Sequence, residues 1–217
     1  FSVGNQPRGV AFDGANIWVA NSGDDTVTKL LASDGETLGT FNVGPAPNGV
    51  VFDGANIWVV NEGNNFRVAG TVTKLRASDG ALLGTFKVGH RPSMAVFDGA
   101  NVWVVDTHDS AVTKLRASDG TVLGSYTVGS FPYGVTFDGT NIWVVNLDSN
   151  TVTELLASNG QLIGTYAVGT LPLSAAFDGQ NLWVTDHGSS NITELRASDG
   201  VLLNTFNVGV KPYGVSY

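Results

Sequence analysis

The sequence contains no cysteine, which excludes disulfides, thiolate metal sites and cysteine nucleophiles. It has no run of about 18 apolar residues, so we expect no membrane-spanning helix and no insertion into a membrane. It also lacks the Gly-x-Ser-x-Gly elbow of serine hydrolases and the glycine-rich loop that binds phosphate. The strongest sequence signals of catalysis are therefore absent, and we assign no catalytic residue.

Charged residues are few, and their net charge of −8 has a local origin. Nine of the 19 acidic residues recur at equivalent turn positions, namely Asp13, Asp53, Asp98, Asp138 and Asp178 in one kind of turn and Asp34, Asp79, Asp119 and Asp199 in another. The acidity argues against nucleic acid or an anionic membrane as a partner. The surface, rich in Asn, Thr and Ser, favours an extracellular or periplasmic location.

Internal repetition is the dominant feature of the chain. The tripeptide Phe-Asp-Gly begins at residues 12, 52, 97, 137 and 177, so four intervals measure 40, 45, 40 and 40 residues. All five tryptophans keep this register, at Trp18, Trp58, Trp103, Trp143 and Trp183. We expect a single domain over residues 1–217, with repeats that start near 5, 45, 90, 130 and 170 and a partial repeat at 210–217.

Each repeat predicts four short strands, which we call A to D. In the second repeat strand A covers 49–52, strand B 57–60, strand C 71–75 and strand D 83–88. An Asp-Gly pair ends strand A and another ends strand C, because such pairs supply the backbone dihedrals of a tight turn. The alternation in strand C is typical of a half-buried strand.

Four antiparallel strands repeated every 40 residues or so are typical of a β-propeller blade. The sequence therefore predicts an all-β propeller with five complete blades. The tryptophan of strand B is expected to pack one blade against its neighbour, together with the strand A phenylalanine.

The residues also resemble a known group. The segment Pro-x-Gly-Val-x-Phe-Asp-Gly-x-Asn-Ile-Trp-Val-Val-Asn, followed by Thr-Val-Thr-Lys-Leu, resembles the repeats of YVTN and NHL-type propellers. It is also similar to the blades of streptogramin (virginiamycin B) lyase-like proteins. The resemblance covers essentially the whole chain and implies a propeller, whereas it says little about activity.

The two chain ends do not coincide with repeat boundaries. Residues 1–4 match the end of strand D, and residues 213–217 match the start of strand A, so we expect one spare strand at each end. Closure with five or with six blades stays open, as does self-association through the terminal strands. The uneven ends and the start at Phe1 suggest a segment of a longer product.

The two edges of each predicted blade differ in variability. The Asp-Gly turns are nearly identical in all repeats, whereas the D-to-A and B-to-C loops vary and include all three histidines and a five-residue insertion. Because binding residues accumulate on loops of rigid scaffolds, we expect a binding face there. Its candidate residues are Arg8, Phe66, Arg67, His90, Arg91, Met94, His108, Phe131, Tyr133, His187, Lys211 and Tyr213.

The third and fifth repeats depart together from the others. Their strand B ends in Asp106 and Asp186 instead of Asn, and His108 and His187 follow closely. The glycine after the loop proline also changes, to Met94 and to Ser174. Because Asp and neutral His are metal ligands, Asp106, His108, Asp186 and His187 are candidates for a divalent ion.

Three functions remain open from the sequence. The first is a non-catalytic scaffold that binds a protein, peptide or glycan with its variable loops. The second is a metal-assisted lyase or hydrolase of the streptogramin-lyase type, with no other cofactor. In those lyases histidine and glutamate surround a bound metal, but no glutamate here lies beside a histidine in any repeat. The third is a structural repeat of a surface assembly.

Overall fold

The computed structural model describes residues 1–65 and 67–216, and this part of the chain contains five four-stranded antiparallel sheets. Strands follow chain order within every sheet, so neighbours in sequence pair with each other. The first sheet contains β1 (Pro7–Phe12), β2 (Asn16–Asn21), β3 (Thr26–Leu31) and β4 (Thr37–Asn42). The second contains β5 (Pro47–Phe52), β6 (Asn56–Asn61), β7 (Ala69–Arg76) and β8 (Leu82–His90).

The remaining three sheets repeat this plan. The third contains β9 (Pro92–Phe97), β10 (Asn101–Asp106), β11 (Ala111–Arg116) and β12 (Val122–Thr127). The fourth contains β13 (Pro132–Phe137), β14 (Asn141–Asn146), β15 (Thr151–Leu156) and β16 (Leu162–Ala167). The fifth contains β17 (Pro172–Phe177), β18 (Asn181–Asp186), β19 (Asn191–Arg196) and β20 (Leu202–Asn207). The five predicted four-stranded repeats are confirmed, and their strands extend one or two residues beyond the predicted bounds.

The chain divides into two compact units. The first unit comprises Phe1–His108 with Thr113–Gly124, and the second comprises Asp109–Val112 with Ser125–Tyr217. The first unit thus holds sheets one and two and most of sheet three, and the second holds sheets four and five. Over residues 1–65 and 67–216, no helix has the length and apolar character needed to cross a bilayer.

A carboxylate organises the turn between strands A and B. In the second sheet Asp53 accepts hydrogen bonds from the backbone N–H of Asn56 at 2.7 Å and from Trp58 Nε1 at 2.7 Å, while Gly54 has a φ of 94°. Burial alone raises the pKa of Asp53, but the hydrogen bonds from Trp58 and Asn56 outweigh it and hold the pKa below its usual value. The same tryptophan–aspartate bond occurs at 2.7–2.8 Å in every sheet.

The tryptophans form the core between adjacent sheets within each unit. In the first unit the fully buried Trp58 belongs to a cluster with Val102 and Val104 of the third sheet, against which Phe97 of strand A packs. In the second unit Trp143 packs in the same way with Leu182 and Val184, next to Phe177. The predicted packing of tryptophan with the following strand A phenylalanine is confirmed.

Strand C corrects one expectation. In β7 the consecutive residues Val72, Thr73, Lys74 and Leu75 are all buried, so the strand is covered on both faces and not half-buried as its alternation predicts. Lys74 lies opposite Trp58 in the register of β6 and β7. Its ammonium lies 5.0 Å from the Trp58 ring centroid, where a cation is favourable.

The chain ends also differ from the prediction. Residues 1–4 and 213–216 are not in strands, because neither segment has a strand B or C of its own repeat to form a ladder with. Each still contacts its neighbouring sheet: the N–H of Gly4 donates to Asn21 Oδ1 at 3.0 Å, and Thr185 Oγ1 donates to the Tyr213 carbonyl at 3.4 Å.

Candidate functional site

Each sheet has two edges with different backbone chemistry. The turn edge carries the A-to-B and C-to-D turns, and the loop edge carries the B-to-C loop and the segment that leads into strand A. At the turn edge the positive φ angles fall on glycine, for example 94° at Gly54 and 75° at Gly80 in the second sheet. Glycine adopts this conformation without a steric penalty, so the turn edge is unstrained.

At the loop edge the positive φ angles fall on residues with side chains. The residue before the proline that starts each strand A has a φ of 49–52°, and this holds for Gln6, Ala46, Arg91, Phe131 and Leu171. Lys211, which precedes the equivalent Pro212 near the chain end, has a φ of 56°. A left-handed conformation costs an L-residue about 1–2 kcal/mol. The same left-handed backbone thus recurs at one equivalent position of the repeats. Glycine would adopt it more easily, but the chain has a different side chain there each time.

Hydrogen bonds from the preceding B-to-C loop hold these strained residues. The N–H of Ala46 donates to Asp25 Oδ1 at 2.8 Å in the first unit. In the second unit the N–H of Leu171 donates to Asn150 Oδ1 at 2.9 Å. The acceptors Asp25 and Asn150 are themselves left-handed, each with a φ of 55°. Adjacent loops therefore fix one another, and the side chains that they carry have defined positions.

The strain can be measured with a single substitution. We expect Ala46→Gly to raise the free energy of unfolding by about 0.5–1 kcal/mol, because glycine removes the steric cost at a φ of 51°. Urea denaturation followed by circular dichroism measures the difference. Ala55→Gly is the matched control in the turn edge, where no strain is relieved and a small loss of stability is expected. If both variants lose stability, the backbone at Ala46 is not strained.

The structure places most of the predicted binding residues at the loop edge of the unit that contains them. In the first unit Arg8, Arg67 and His108 are exposed, whereas His90, Arg91 and Met94 are partly buried. Phe66 lies outside the described residues. Arg91 Nε donates to Glu62 Oε1 at 2.6 Å, so this arginine links its own loop to the preceding B-to-C loop. Glu62 is a loop-edge residue that the sequence analysis did not select.

In the second unit the predicted residues form an aromatic group. The hydroxyls of Tyr133 and Tyr213 lie 3.4 Å apart, and the ring of His187 meets the Tyr213 ring edge-on at a centroid distance of 6.3 Å. His187 Nδ1 lies 3.2 Å from the Pro212 carbonyl oxygen, which orients the imidazole. Tyr213 is 63% exposed and Lys211 beside it is also exposed. We call Phe131, which is partly buried, Tyr133, His187 and Tyr213 together the aromatic group.

Two exposed apolar side chains near the aromatic group were missed by the sequence analysis. Leu171 is 42% exposed and Val210 is 85% exposed. Their signal in the sequence was an apolar residue one or two positions before a loop proline, where the other repeats, apart from Phe131, carry polar or small residues. Together with the aromatic group they make the loop edge of the second unit amphipathic.

The candidate metal ligands have structural partners. Asp106 is buried and accepts hydrogen bonds from the Gly89 N–H at 2.9 Å and the Thr113 hydroxyl at 2.5 Å. Asp186 is likewise buried and accepts one from Thr193 at 2.6 Å. Burial raises the pKa of Asp186 to about 6, although this hydrogen bond opposes the shift.

Asparagine at this position contacts the same strand C threonine in the other repeats, but as the donor. Asn61 Nδ2 donates to the hydroxyls of Thr71 and Thr73 at 3.1 and 2.9 Å. Within the described part of the chain, no group of three or more His, Asp or Glu side chains is placed to hold a metal ion. The metal site stays a prediction, which elemental analysis of the purified chain tests.

The glycine that changes in the third and fifth repeats has a packing role. A Cβ on Gly49 would lie 2.9 Å from the Ser93 carbonyl oxygen and 3.0 Å from Met94 Cα, because strands A of adjacent sheets approach closely there. Met94 itself is partly buried in β9. In the fifth sheet the N–H of Ser174 donates to Thr185 Oγ1 at 3.1 Å. Close backbone packing therefore accounts for the glycine at position 49 without a ligand.

Solved structures share this arrangement over almost the whole chain. A functionally unknown protein from Desulfotomaculum acetoxidans superposes with a TM-score of 0.83 at 16% identity, covering 96% of this chain and 72% of that one. A catalytically inactive virginiamycin B lyase from Staphylococcus aureus, solved with quinupristin, gives a TM-score of 0.81 at 17% identity, covering 98% and 74%. The chain is a β-propeller. The predicted fold class is confirmed.

The likeness extends to enzymes of other kinds but stays a likeness of fold. Kuenenia stuttgartiensis hydrazine synthase matches this propeller with a TM-score of 0.67 at 14% identity, covering 100% of this chain and 91% of that one. No family model matches the sequence, and no curated protein does. The resemblance to YVTN and NHL-type repeats is therefore not confirmed by a family model. At such identities the propeller shares architecture with these proteins, and its function depends on its own loop edge.

Proposed function

We propose that this propeller is a non-catalytic binding module that presents its loop-edge side chains to a protein, peptide or glycan. The observation that supports the proposal is the left-handed residue before each loop proline. Strained backbone is retained where the surroundings over-determine it, and it concentrates at binding sites. Glycine would relieve the strain at every one of these positions, yet the chain keeps Gln, Ala, Arg, Phe, Leu and Lys there.

The chemistry of these side chains suits recognition. Tyrosine, phenylalanine and arginine are enriched at the centres of protein interfaces, and tyrosine offers an apolar ring with a polar tip at little entropic cost. The aromatic group of the second unit combines two such tyrosines with His187, and the exposed Lys211 lies beside Tyr213. An extracellular or periplasmic location belongs to the same proposal, and the abundance of Asn, Thr and Ser in the sequence supports it.

Substitution of the aromatic group tests the proposal. The chain is first used to probe a displayed peptide library and a glycan array, and each recovered ligand is then measured by biolayer interferometry. A variant with Tyr133→Ser, Lys211→Ser and Tyr213→Ser is expected to lose a factor of about 30 in affinity, as when hot-spot side chains are truncated.

The control variant carries Leu162→Ser, Ile163→Ser and Val201→Ser, three exposed apolar side chains of the same unit that lie outside the loop edge. It is expected to bind within twofold of the unmodified chain. Equal affinity of the loop variant and the unmodified chain for every recovered ligand would reject the aromatic group as the binding site. Light scattering of the unmodified chain separates this role from that of a structural repeat, which requires assembly.

A further inference from the structure

The turn edge contains two grooves, each of which lies between adjacent sheets of one unit. In the first unit the groove between sheets two and three encloses about 530 Å³. It is lined by Asp53, Ala55, Asn56, Lys74, Phe97, Gly99, Ala100, Arg116, Ala117 and Ser118. In the second unit the groove between sheets four and five encloses about 500 Å³ and is lined by the equivalent residues at every position but one. The exception is Lys74, because its counterpart Glu154 is not among the residues that line the second groove.

In the first unit a lysine of the chain itself occupies the groove. Lys74 Nζ donates to the carbonyl oxygen of Ala117 at 2.7 Å and to that of Ser118 at 3.2 Å. Lys29 makes the same two bonds, with the same lengths, to the next sheet along. Its ammonium also lies 5.2 Å from the centroid of the Trp18 ring. The carbonyl pair of the C-to-D turn is thus an ammonium-binding element that is used at least twice.

In the second unit this carbonyl pair has no such partner. The groove is lined by Ala197 and Ser198, the counterparts of Ala117 and Ser118. Within the described residues, no lysine side chain donates to their carbonyl oxygens. Arg196 also lines the groove, but its guanidinium is paired with Asp199 at 2.9 Å, as Arg116 is with Asp119 at 3.0 Å in the first unit.

The other polar groups around the vacated position are acceptors. Glu154 is buried and accepts hydrogen bonds from Asn141 Nδ2 at 2.8 Å and from the Tyr166 hydroxyl at 2.8 Å. Because the Asn141 amide nitrogen points to Glu154, its Oδ1 is buried without a hydrogen-bond partner among the described residues. Asn56, which has no glutamate beside it, donates to both oxygens of Asp53 instead.

The charge near the groove also changes in the direction that favours a bound cation. The change from lysine to glutamate replaces one positive charge with one negative charge near Asp138, and Asp138 lines the groove. Burial raises the pKa of Glu154, and the nearby charge of Asp138 raises it further. A cation in the groove would relieve both effects, since it compensates the two carboxylates.

We propose that the groove between sheets four and five binds a primary ammonium group from outside the chain. The ammonium would donate to the carbonyl oxygens of Ala197 and Ser198 and to Asn141 Oδ1, in the place that Lys74 occupies in the first unit. The chemical class is a primary alkylammonium, supplied by a small amine or by the side chain of a lysine. This site lies at the turn edge and is independent of the proposed loop-edge function.

A titration followed by two-dimensional ¹H–¹⁵N NMR tests the site. The probe is n-butylammonium chloride, and tetramethylammonium chloride at equal concentration is the control cation, because it has the charge but no N–H donor. Saturable shifts are expected for the amides of Ser198 and Asp199 and for the Asn141 side-chain amide. The amides of Ser118 and Asp119 are expected to stay unchanged, because the carbonyl groups of Ala117 and Ser118 already accept hydrogen bonds from Lys74.

The variant Glu154→Lys provides the matched comparison. Because the third repeat has Lys114 and Tyr126 at the positions equivalent to Glu154 and Tyr166, the sequence already contains this combination. The new lysine is expected to fill the groove, weaken n-butylammonium binding at least tenfold and raise the melting temperature. If the variant does not fold, Glu154→Gln replaces it and is expected to weaken binding about threefold, since the carbonyl pair remains.

Several results would overturn the proposal. Three results would each show that the groove does not recognise the N–H donors of a primary ammonium group. They are equal shifts with tetramethylammonium, equal shifts at Ser118 and Asp119, and undiminished binding in Glu154→Lys. If n-butylammonium binds, N-acetyl-lysine methylamide is titrated next, and saturation by it identifies a lysine side chain as an accepted source. Failure by this derivative alone leaves the small amine as the ligand. None of these outcomes depends on loop-edge binding.

Discussion

Trp58→Ala is expected to lower the free energy of unfolding by about 4 kcal/mol, the largest effect of any single substitution that we predict. Trp58 is fully buried between sheets two and three, and its ring contacts Phe86 at a centroid distance of 5.6 Å. Truncation to alanine leaves a cavity, removes the bond to Asp53 and uncovers the Lys74 ammonium. Urea denaturation at 25 °C, followed by circular dichroism, measures the loss.

Two further variants separate these contributions. Trp58→Phe keeps most of the apolar contact and is expected to lose about 2 kcal/mol, because the Asp53 carboxylate loses one of its donors in a partly buried turn. Phe12→Ala removes an aromatic ring that is 56% exposed in β1 and is expected to change stability by less than about 1 kcal/mol. An equal loss for Phe12→Ala and Trp58→Ala is incompatible with a core formed by the tryptophans.

Asp186→Asn is expected to stabilise the protein by about 2 kcal/mol at pH 7.5. Burial raises the pKa of Asp186 to about 6 in the folded chain, whereas an aspartate in an unfolded chain has a pKa of about 3.9. Between these values the folded chain binds more protons than the unfolded chain, so the free energy of unfolding decreases as the pH rises. Asparagine cannot ionise and therefore removes this dependence.

The pH profile distinguishes this cause from a change in packing. The difference between Asp186→Asn and the unmodified chain is expected to be small near pH 3.5, to grow up to about pH 6 and to stay constant above it. Asn21, Asn61 and Asn146 already fill this position in three repeats, so the side chain fits. The exposed Asp148→Asn changes the net charge equally and serves as the control for that change. A pH-independent difference for Asp186→Asn refutes the assigned cause.

Features that depend on local chemistry could be predicted from the sequence. The Asp-Gly turns, the tryptophan of strand B and the strand order follow from short-range motifs that recur in every repeat. The loop edge could also be located, since Tyr133 and Tyr213 were selected from loop variability alone. Residues that recur in every repeat indicate the scaffold, and residues that differ between repeats at equivalent loop positions indicate the candidate site.

Features that depend on distant partners could not be predicted. Lys74 is normally an exposed residue type, and the carbonyl groups that make its burial favourable lie 43 and 44 residues further along the chain. The left-handed backbone of Phe131 could not be predicted either, because a residue before proline usually adopts an extended conformation. The raised pKa of Asp186 had one available signal in the sequence. Asn191 stands in strand C at the position where three other repeats have threonine.

The left-handed residues before the loop prolines have a consequence for protein engineering. Their backbones are fixed by main-chain bonds, such as those from Glu62 N to the Ala46 carbonyl at 3.0 Å and from Leu147 N to the Phe131 carbonyl at 3.0 Å. None of these bonds involves the side chain at the left-handed position. A randomised library at these positions should therefore keep its members folded while their surface chemistry changes, which makes the chain a natural starting point for selecting new affinity reagents.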